Sequence, residues 1–366
     1  MKKTIIVFNN MRVGGIQKAL IAYLKDITQK QNVTLLLFHK HGELLREIPS
    51  KTCIKEVDSD YKYMGMMQSD CVLFRDKLKR AFYAIICKIL GKKVALWLIS
   101  KTERYIDEEE YDEAISFIHV TYMHSLYGGA PQYVLGLKKA KKKICYVHCD
   151  YLNSGTRSVY SDNVYRQFDE IVCVSNSTKE LFLKALPEMQ GRVMVRYNSI
   201  DKDEIITKSR NNPYQYDLEY INCITVARLG KEKGIIRVIK AIAHIASKRL
   251  RYYIIGDGKE RSVIEETIIQ LGLSENILLM GEQDNPYKFM RNADIMIVPS
   301  YHEAAPVVFQ EAIVLGLPIL ATRTSSADEL IGIGNGIVIE NSDIAIEEEL
   351  RNIINTPGQL IRRFQQ

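Results

Sequence analysis

The chain has 366 residues, 46% of them hydrophobic and 26% charged, and a net charge of +6. This composition leaves room for two globular domains and excludes a fibrous, low-complexity or disulfide-stapled protein. Residues 1–200 carry 31 Lys and Arg against 21 Asp and Glu, whereas residues 201–366 carry 19 against 23. A basic first half predicts an anionic partner, either a membrane surface or a phosphorylated substrate, and no motif supports nucleic acid.

Met1-Lys2-Lys3 runs directly into a strand-like Thr4–Phe8 and the polar pair Asn9-Asn10, which lacks the apolar run of a secretory leader. Gly14-Gly15 then closes a loop and opens a helix over Ile16–Ile27. Adjacent glycines at a helix start let backbone N–H groups approach a phosphate or a sugar. Further strands are expected at Val33–Phe38, Glu113–Ile118, Lys143–Val147, Glu170–Val174 and Arg192–Tyr197. Between them, Asp58-Ser-Asp60 has the D-x-D form of a cation site but sits in a polar stretch that reads as solvated loop. The segment Arg75–Lys93 interleaves basic residues with Leu, Phe, Tyr and Ile, and with the Lys138–Lys143 run it is a candidate surface for anionic lipid. The equally simple reading is the solvent side of an ordinary amphipathic helix. The apolar candidate Ala81–Ser100 is interrupted by Lys88, Lys92 and Lys93 and should not span a bilayer.

His148 stands at the end of the Lys143–Val147 strand, in Cys145-Tyr-Val-His-Cys149-Asp150. A zinc site on Cys145, His148 and Cys149 is disfavoured, since alternate strand positions face opposite ways and no second cluster completes four ligands. Seven scattered cysteines without a C-x-x-C pair read as reduced thiols of a cytoplasmic protein. Ser175 and Asn198 end later strands, where turn formation accounts for them as well as ligand contact does.

A polar stretch, Asp201–Asp217, precedes a second set of strands at Tyr220–Val226, Tyr252–Ile255, Ile277–Met280, Ile295–Pro299, Pro318–Thr322 and Gly336–Ile339. Strands alternating with helical stretches indicate βαβ units and parallel sheets, so the chain is α/β with two Rossmann-like domains. Ligands of such sheets bind at the carboxyl ends of the strands. There the sequence places Arg228 and Lys233, then Gly256-Asp-Gly258, then Ser300–Leu320 with Glu303 and Glu311. Arg offers a bidentate fork to phosphate and Lys a point charge. Pro306 suits the first turn of the helix Pro306–Leu315, whose free N–H groups and dipole can hold a diphosphate. The two carboxylates can accept hydrogen bonds from sugar hydroxyls.

The run Glu303-Ala-Ala-Pro306, an apolar stretch, Glu311-Ala312 and Gly316-Leu-Pro-Ile319 resembles the donor signature of the retaining GT-B glycosyltransferases of family GT4. Arg228-Leu-Gly with Lys233-Gly234, the Gly256–Gly258 loop and the Gly14-Gly15 turn are similar to further elements of that family. The resemblance is specific from about Ile221 to Leu320; in the first half it covers strand order and a few loop residues. It implies a GT-B fold with two Rossmann-like domains facing each other across a cleft. Residues 1–205 would form the acceptor-side domain, completed by a C-terminal helix at about 350–366, and residues 206–349 the nucleotide-sugar domain. It implies that Arg228 and Lys233 neutralise the donor diphosphate, Glu311 holds the ribose, and Glu303 and His148 contact the sugar. Gly14, Gly15, Gly256 and Gly258 would approach the donor, and Ala304, Ala305, Pro306, Val307 and Val308 would complete its cradle. No metal or other cofactor is expected, because fixed positive charge stabilises the leaving diphosphate. Ala227 replaces the family's usual Gly, and so does Ala304, which the resemblance places next to the donor sugar, so on account of Ala304 sugar identity stays open.

The expected activity is transfer of a sugar from a nucleotide-diphosphate sugar to an acceptor hydroxyl. With a basic first half, the expected acceptor is a lipid-linked oligosaccharide of bacterial capsule, exopolysaccharide or O-antigen assembly, met at the inner membrane face. Two alternatives share the donor site: a nucleotide-sugar epimerase and a non-catalytic binding subunit.

Overall fold

The computed structural model describes residues 1–102 and 109–356. It divides between Ser199 and Ile200 into two compact units. The first holds β1 (Lys3–Phe8), β2 (Asn32–Leu37), β3 (Cys53–Glu56), β4 (Tyr111–Ser116), β5 (Ala140–Val147), β6 (Glu170–Cys173) and β7 (Val193–Val195). They form one parallel sheet in the order β3-β2-β1-β4-β5-β6-β7. Ile5, Ile6, Val7 and Phe8 of β1 are all buried, as expected of a central strand covered on both faces. The edge strand β3 escapes the sequence reading because Cys-Ile-Lys-Glu is short and has no sustained apolar pattern.

The second unit holds β8 (Ile221–Val226), β9 (Leu250–Ile255), β10 (Ile277–Gly281), β11 (Ile295–Val298), β12 (Ile319–Thr322) and β13 (Gly336–Ile339). This sheet is also parallel, in the order β10-β9-β8-β11-β12-β13. Strand alternation divides its core. Cys223, Tyr252 and Ile297 pack with the helices Ile235–Ile245 and Asp343–Asn355 on one face. Ile224, Tyr253 and Met296 pack with the helix Val307–Leu315 on the other. Ile346, Leu350, Ile353 and Ile354 belong to this core, so residues 350–355 are part of the second unit. Residues 357–366 of the expected C-terminal helix lie outside the described residues.

The stretch Arg75–Lys93 falls on two helices, Phe74–Leu90 and Lys92–Ser100, broken at Gly91 with φ 82°. Among the described residues, no helix is long and apolar enough to cross a membrane. The sequence reading of Asp60 as solvated is corrected. It is buried and accepts hydrogen bonds from Tyr83 Oη at 2.7 Å and Lys79 Nζ at 3.1 Å, fastening the Phe74–Leu90 helix to the loop before it. Asp58 and Asp60 are thus not a matched pair of open carboxylates.

Candidate active site

In the second unit the strand order reverses between β8 and β11, and the loops leaving these strands carry the candidate groups. After β8 the chain passes Arg228 and a short 3-10 turn, Lys231–Lys233, and reaches Gly234 at φ 64°. A Cβ on Gly234 would stand 2.2 Å from Pro299 O, so only glycine lets the two loops touch. Tyr301 N donates to Glu232 O at 2.9 Å across the same seam.

This seam brings Lys233 Nζ to 2.5 Å from Glu303 Oε1. Ser300 Oγ donates to the same oxygen at 2.8 Å, and Ser325 Oγ donates to the Glu303 carbonyl at 2.7 Å. Glu303 is therefore held at both its side chain and its backbone. Arg228 is different: its side chain is 77% exposed, and among the described residues its guanidinium pairs at 2.8 Å with Glu232, whose side chain is 40% exposed. An exposed pair of this kind contributes about 0–1 kcal/mol, so little opposes its exchange for an anionic ligand.

Pro306 is the N-cap of the helix Val307–Leu315, with φ −67° and ψ 120°, and no side chain caps that end. The sequence placed Pro306 in the first turn; its extended ψ instead makes Val307 the first helical residue. Phe309 N donates to Pro306 O at 3.2 Å, and the helix stops at Gly316, φ 66°. Val307 and Ala304 are buried, while Ala305, Pro306 and Val308 are half-buried. The methyl of Ala304 thus packs inside the loop, away from solvent. Glu311, one turn into the helix, is 3% exposed and accepts a hydrogen bond from Tyr287 Oη at 2.8 Å.

Gly256 and Gly258 have a structural task. Cβ atoms there would meet Ala227 O at 1.9 Å and Leu229 O at 2.4 Å. Leu229 N donates to Asp257 O at 2.9 Å, and Glu260 N to Leu229 O at 3.0 Å. The two strand-end loops thus lie backbone to backbone.

In the first unit, Gly14 caps the helix Gly15–Ile27 in an extended conformation, φ 179°, with no side-chain cap. A Cβ on Gly14 would meet only the flexible end of Gln17, at 2.5 Å. His148 follows β5, stacks on Tyr146 with ring centroids 5.8 Å apart, and lies tilted at 47° against Phe117 at 5.2 Å. Its Nε2 is buried without a hydrogen-bond partner. Burial lowers its ring from the ordinary 6.5 to about 3, and charge on His119 acts in the same direction. His119 Nδ1 and the side chain of Asn9 are likewise buried and unpartnered. Asn9 and His119 follow β1 and β4, at the order reversal of the first sheet. The sequence reading missed them, although each is a polar residue ending an apolar run. It also missed Ser300, three residues before Glu303, and Ser325 and Tyr287, whose relation to the two glutamates depends on the tertiary fold. Ser175 Oγ accepts from Thr178 N at 3.0 Å as a helix cap, which is the turn-forming role. Among the described residues, no cluster of three His, Cys, Asp or Glu side chains has the arrangement of a metal site.

Residues 210–366 match the family model described as Glycosyl transferases group 1. The glycosyltransferase MJ1059 of Methanocaldococcus jannaschii is 25% identical over 197 residues, 50% of this chain and 48% of that protein. The N-acetylgalactosamine-N,N'-diacetylbacillosaminyl-diphospho-undecaprenol 4-alpha-N-acetylgalactosaminyltransferase of Campylobacter jejuni is 28% identical over 170 residues, 46% of each chain. The chain spans about half the length of the curated relatives it matches. Among solved structures, HepE of Anabaena in complex with UDP and glucose superposes with a TM-score of 0.68. It has 17% identity, and the match covers 100% of this chain and 94% of that one. At that identity the likeness is one of fold, and the fold is GT-B.

Proposed function

We propose, from the premise that residues 210–366 belong to the glycosyl transferases of group 1, that this protein is a retaining glycosyltransferase using a nucleotide-diphosphate sugar. The observation that carries the reading is the Lys233–Glu303 pair, set at 2.5 Å beside an uncapped helix start and a buried Glu311.

In this reading Arg228 leaves its pairing with Glu232 and grips the diphosphate with Lys233 and the N–H groups of the first helical turn, near Val307 and Val308. Positive charge fixed there stabilises the transition state as the bond from the anomeric carbon to the phosphate oxygen breaks. The bonding electrons leave with the diphosphate. The acceptor oxygen attacks the same face of the sugar, and its proton passes to the departing phosphate oxygen, so no separate general base is assigned. Glu303, held by Ser300 and Ser325, accepts hydrogen bonds from the sugar hydroxyls, and Glu311 accepts from the ribose. Gly14, Gly15 and His148 of the first unit keep the donor contacts that the resemblance assigns them. Buried and neutral, His148 can donate or accept one hydrogen bond to a hydroxyl without adding charge.

The acceptor in this reading is a lipid-linked oligosaccharide of bacterial surface polysaccharide assembly. Support comes from the basic first half and from a Campylobacter relative whose name gives a diphospho-undecaprenol acceptor.

A donor screen tests the proposal. Purified protein is incubated with UDP-, GDP-, ADP- and dTDP-sugars, and thermal shift and slow release of nucleotide diphosphate are read. One donor should stabilise the protein and be hydrolysed, and Arg228→Ala and Glu311→Ala should abolish both effects. Conversion of one nucleotide sugar into another without release of diphosphate would establish an epimerase instead. Stabilisation without turnover, even with lipid-linked acceptors present, would leave a binding subunit.

A further inference from the structure

The helix Phe74–Leu90 exposes its apolar side. Phe74, Leu78, Phe82, Ile85 and Ile89 are 55–73% exposed. At 3.6 residues per turn these five positions fall within an arc of about 80°. The inward side of the same helix is formed by Asp76, Tyr83 and Cys87. Asp76 accepts from Tyr63 Oη at 2.6 Å, and Tyr83 donates to Asp60 at 2.7 Å. The helix is therefore anchored by a partly polar face and shows solvent its greasy one, the reverse of an ordinary surface helix. Val72 and Leu73 lead into the stripe exposed, and Trp97 on the following helix is 57% exposed.

Charge identifies what covers this face. Between Val72 and Lys101 the single acidic residue is Asp76, and it points inward. Lys79 is taken by Asp60 and Arg80 by Met66 O and Gln68. Arg75, Lys77, Lys88 and Lys93 are exposed. On the helix, Arg75 lies along one margin of the stripe, and Lys77 and Lys88 lie along the other. A second copy of this chain meeting the face symmetrically would set these cations against each other. An anionic bilayer has the complementary layout, with acyl chains for the stripe and phosphates for its two basic margins.

We infer that the Phe74–Leu90 helix is a membrane-docking surface that lies in the plane of an anionic bilayer, with Phe74, Leu78, Phe82, Ile85 and Ile89 inserted at the acyl boundary. That the docking serves a lipid-linked acceptor rests on the function proposed above; the docking itself can be measured without any transfer.

The test is co-sedimentation of the full chain with vesicles of phosphatidylcholine alone and of phosphatidylcholine mixed with phosphatidylglycerol. Wild type should sediment with the anionic vesicles, less at high salt, and much less with the neutral ones. Leu78→Gln/Phe82→Gln and Arg75→Glu/Lys88→Glu should each weaken binding by about tenfold or more. These side chains are exposed, so both variants should keep the wild-type melting temperature and donor-induced thermal shift. Wild type left in the supernatant, or variants that bind as well as wild type, would overturn the inference. So would a solution dimer that the stripe variant dissolves while vesicles capture nothing. Loss of donor response with vesicle binding intact counts against the transferase reading alone.

Discussion

Lys233 and Glu303 stand 70 residues apart in the chain and 2.5 Å apart in space, and Ser300 shares the same carboxylate oxygen. The pair joins the two loops at the reversal of the second sheet, and the proposed function gives both members to the donor. Lys233→Met should lower kcat/KM by about 10²–10³-fold, the usual result of removing one preorganised charge from a transition state. The melting temperature should change little, because the pair is not deeply buried. Steady-state kinetics beside a melting curve checks both, and an inactive variant that also melts early would indicate a structural role.

Tyr287 is expected to position Glu311. Tyr287→Phe removes the hydroxyl that donates to Glu311 Oε1 inside the core. It should destabilise the fold by about 1–3 kcal/mol and raise KM for the donor several-fold with a smaller change in kcat. Glu311→Gln keeps the shape but adds donors where an acceptor is needed, and its donor-induced thermal shift should vanish. Titration calorimetry with the nucleotide diphosphate reads the same loss directly.

Protonation of His148 and His119 should make stability depend on pH. Burial holds both below the ordinary 6.5, His148 at about 3 and His119 at about 4. The unfolded chain therefore binds more protons than the folded one between these values and 6.5, and stability rises with pH there. The contribution is complete above 6.5 and is lost as pH falls toward 3. His148→Asn, which does not titrate, should flatten the decline of melting temperature across that window. Equal slopes in wild type and variant would refute it.

Gly14 and Gly256 should respond in opposite ways to alanine. Gly256→Ala places a methyl 1.9 Å from Ala227 O at φ 139°, and should lower stability by more than about 2 kcal/mol. Gly14→Ala, extended and facing only Gln17, should melt like wild type. If Gly14→Ala nonetheless weakens donor binding, the cause is crowding of the ligand. Thermal melts and donor titrations on the two variants separate these outcomes.

The α/β class and the parallel strands were legible in the sequence because buried parallel strands are written as continuous apolar runs, as Ile5–Phe8 and Ile295–Val298 are. The sequence also foretold that Arg228 and Glu303 would stand in loops that leave strands, because each shortly follows an apolar strand run, Ile221–Val226 and Ile295–Val298. Other features depend on distant parts of the chain. Tyr287 and Ser325 acquire meaning only once the fold sets them against Glu311 and Glu303. Pro306 shifted by one position because proline fixes φ and leaves ψ free. The Phe74–Leu90 helix is amphipathic in sequence, yet periodicity does not say which side turns inward. Asp60, bonded to Tyr83 and Lys79, settles that question in the structure.

The backbone contact of Gly256 and Gly258 with Ala227 and Leu229 binds two connections into one mechanical block. Neither loop can lengthen or gain a side chain at the seam without lifting the other. Redesign aimed at a new donor would have to vary both loops together, or leave them alone and work from the Ala304 side, where the contacts to the seam run through Lys233 and Gly234.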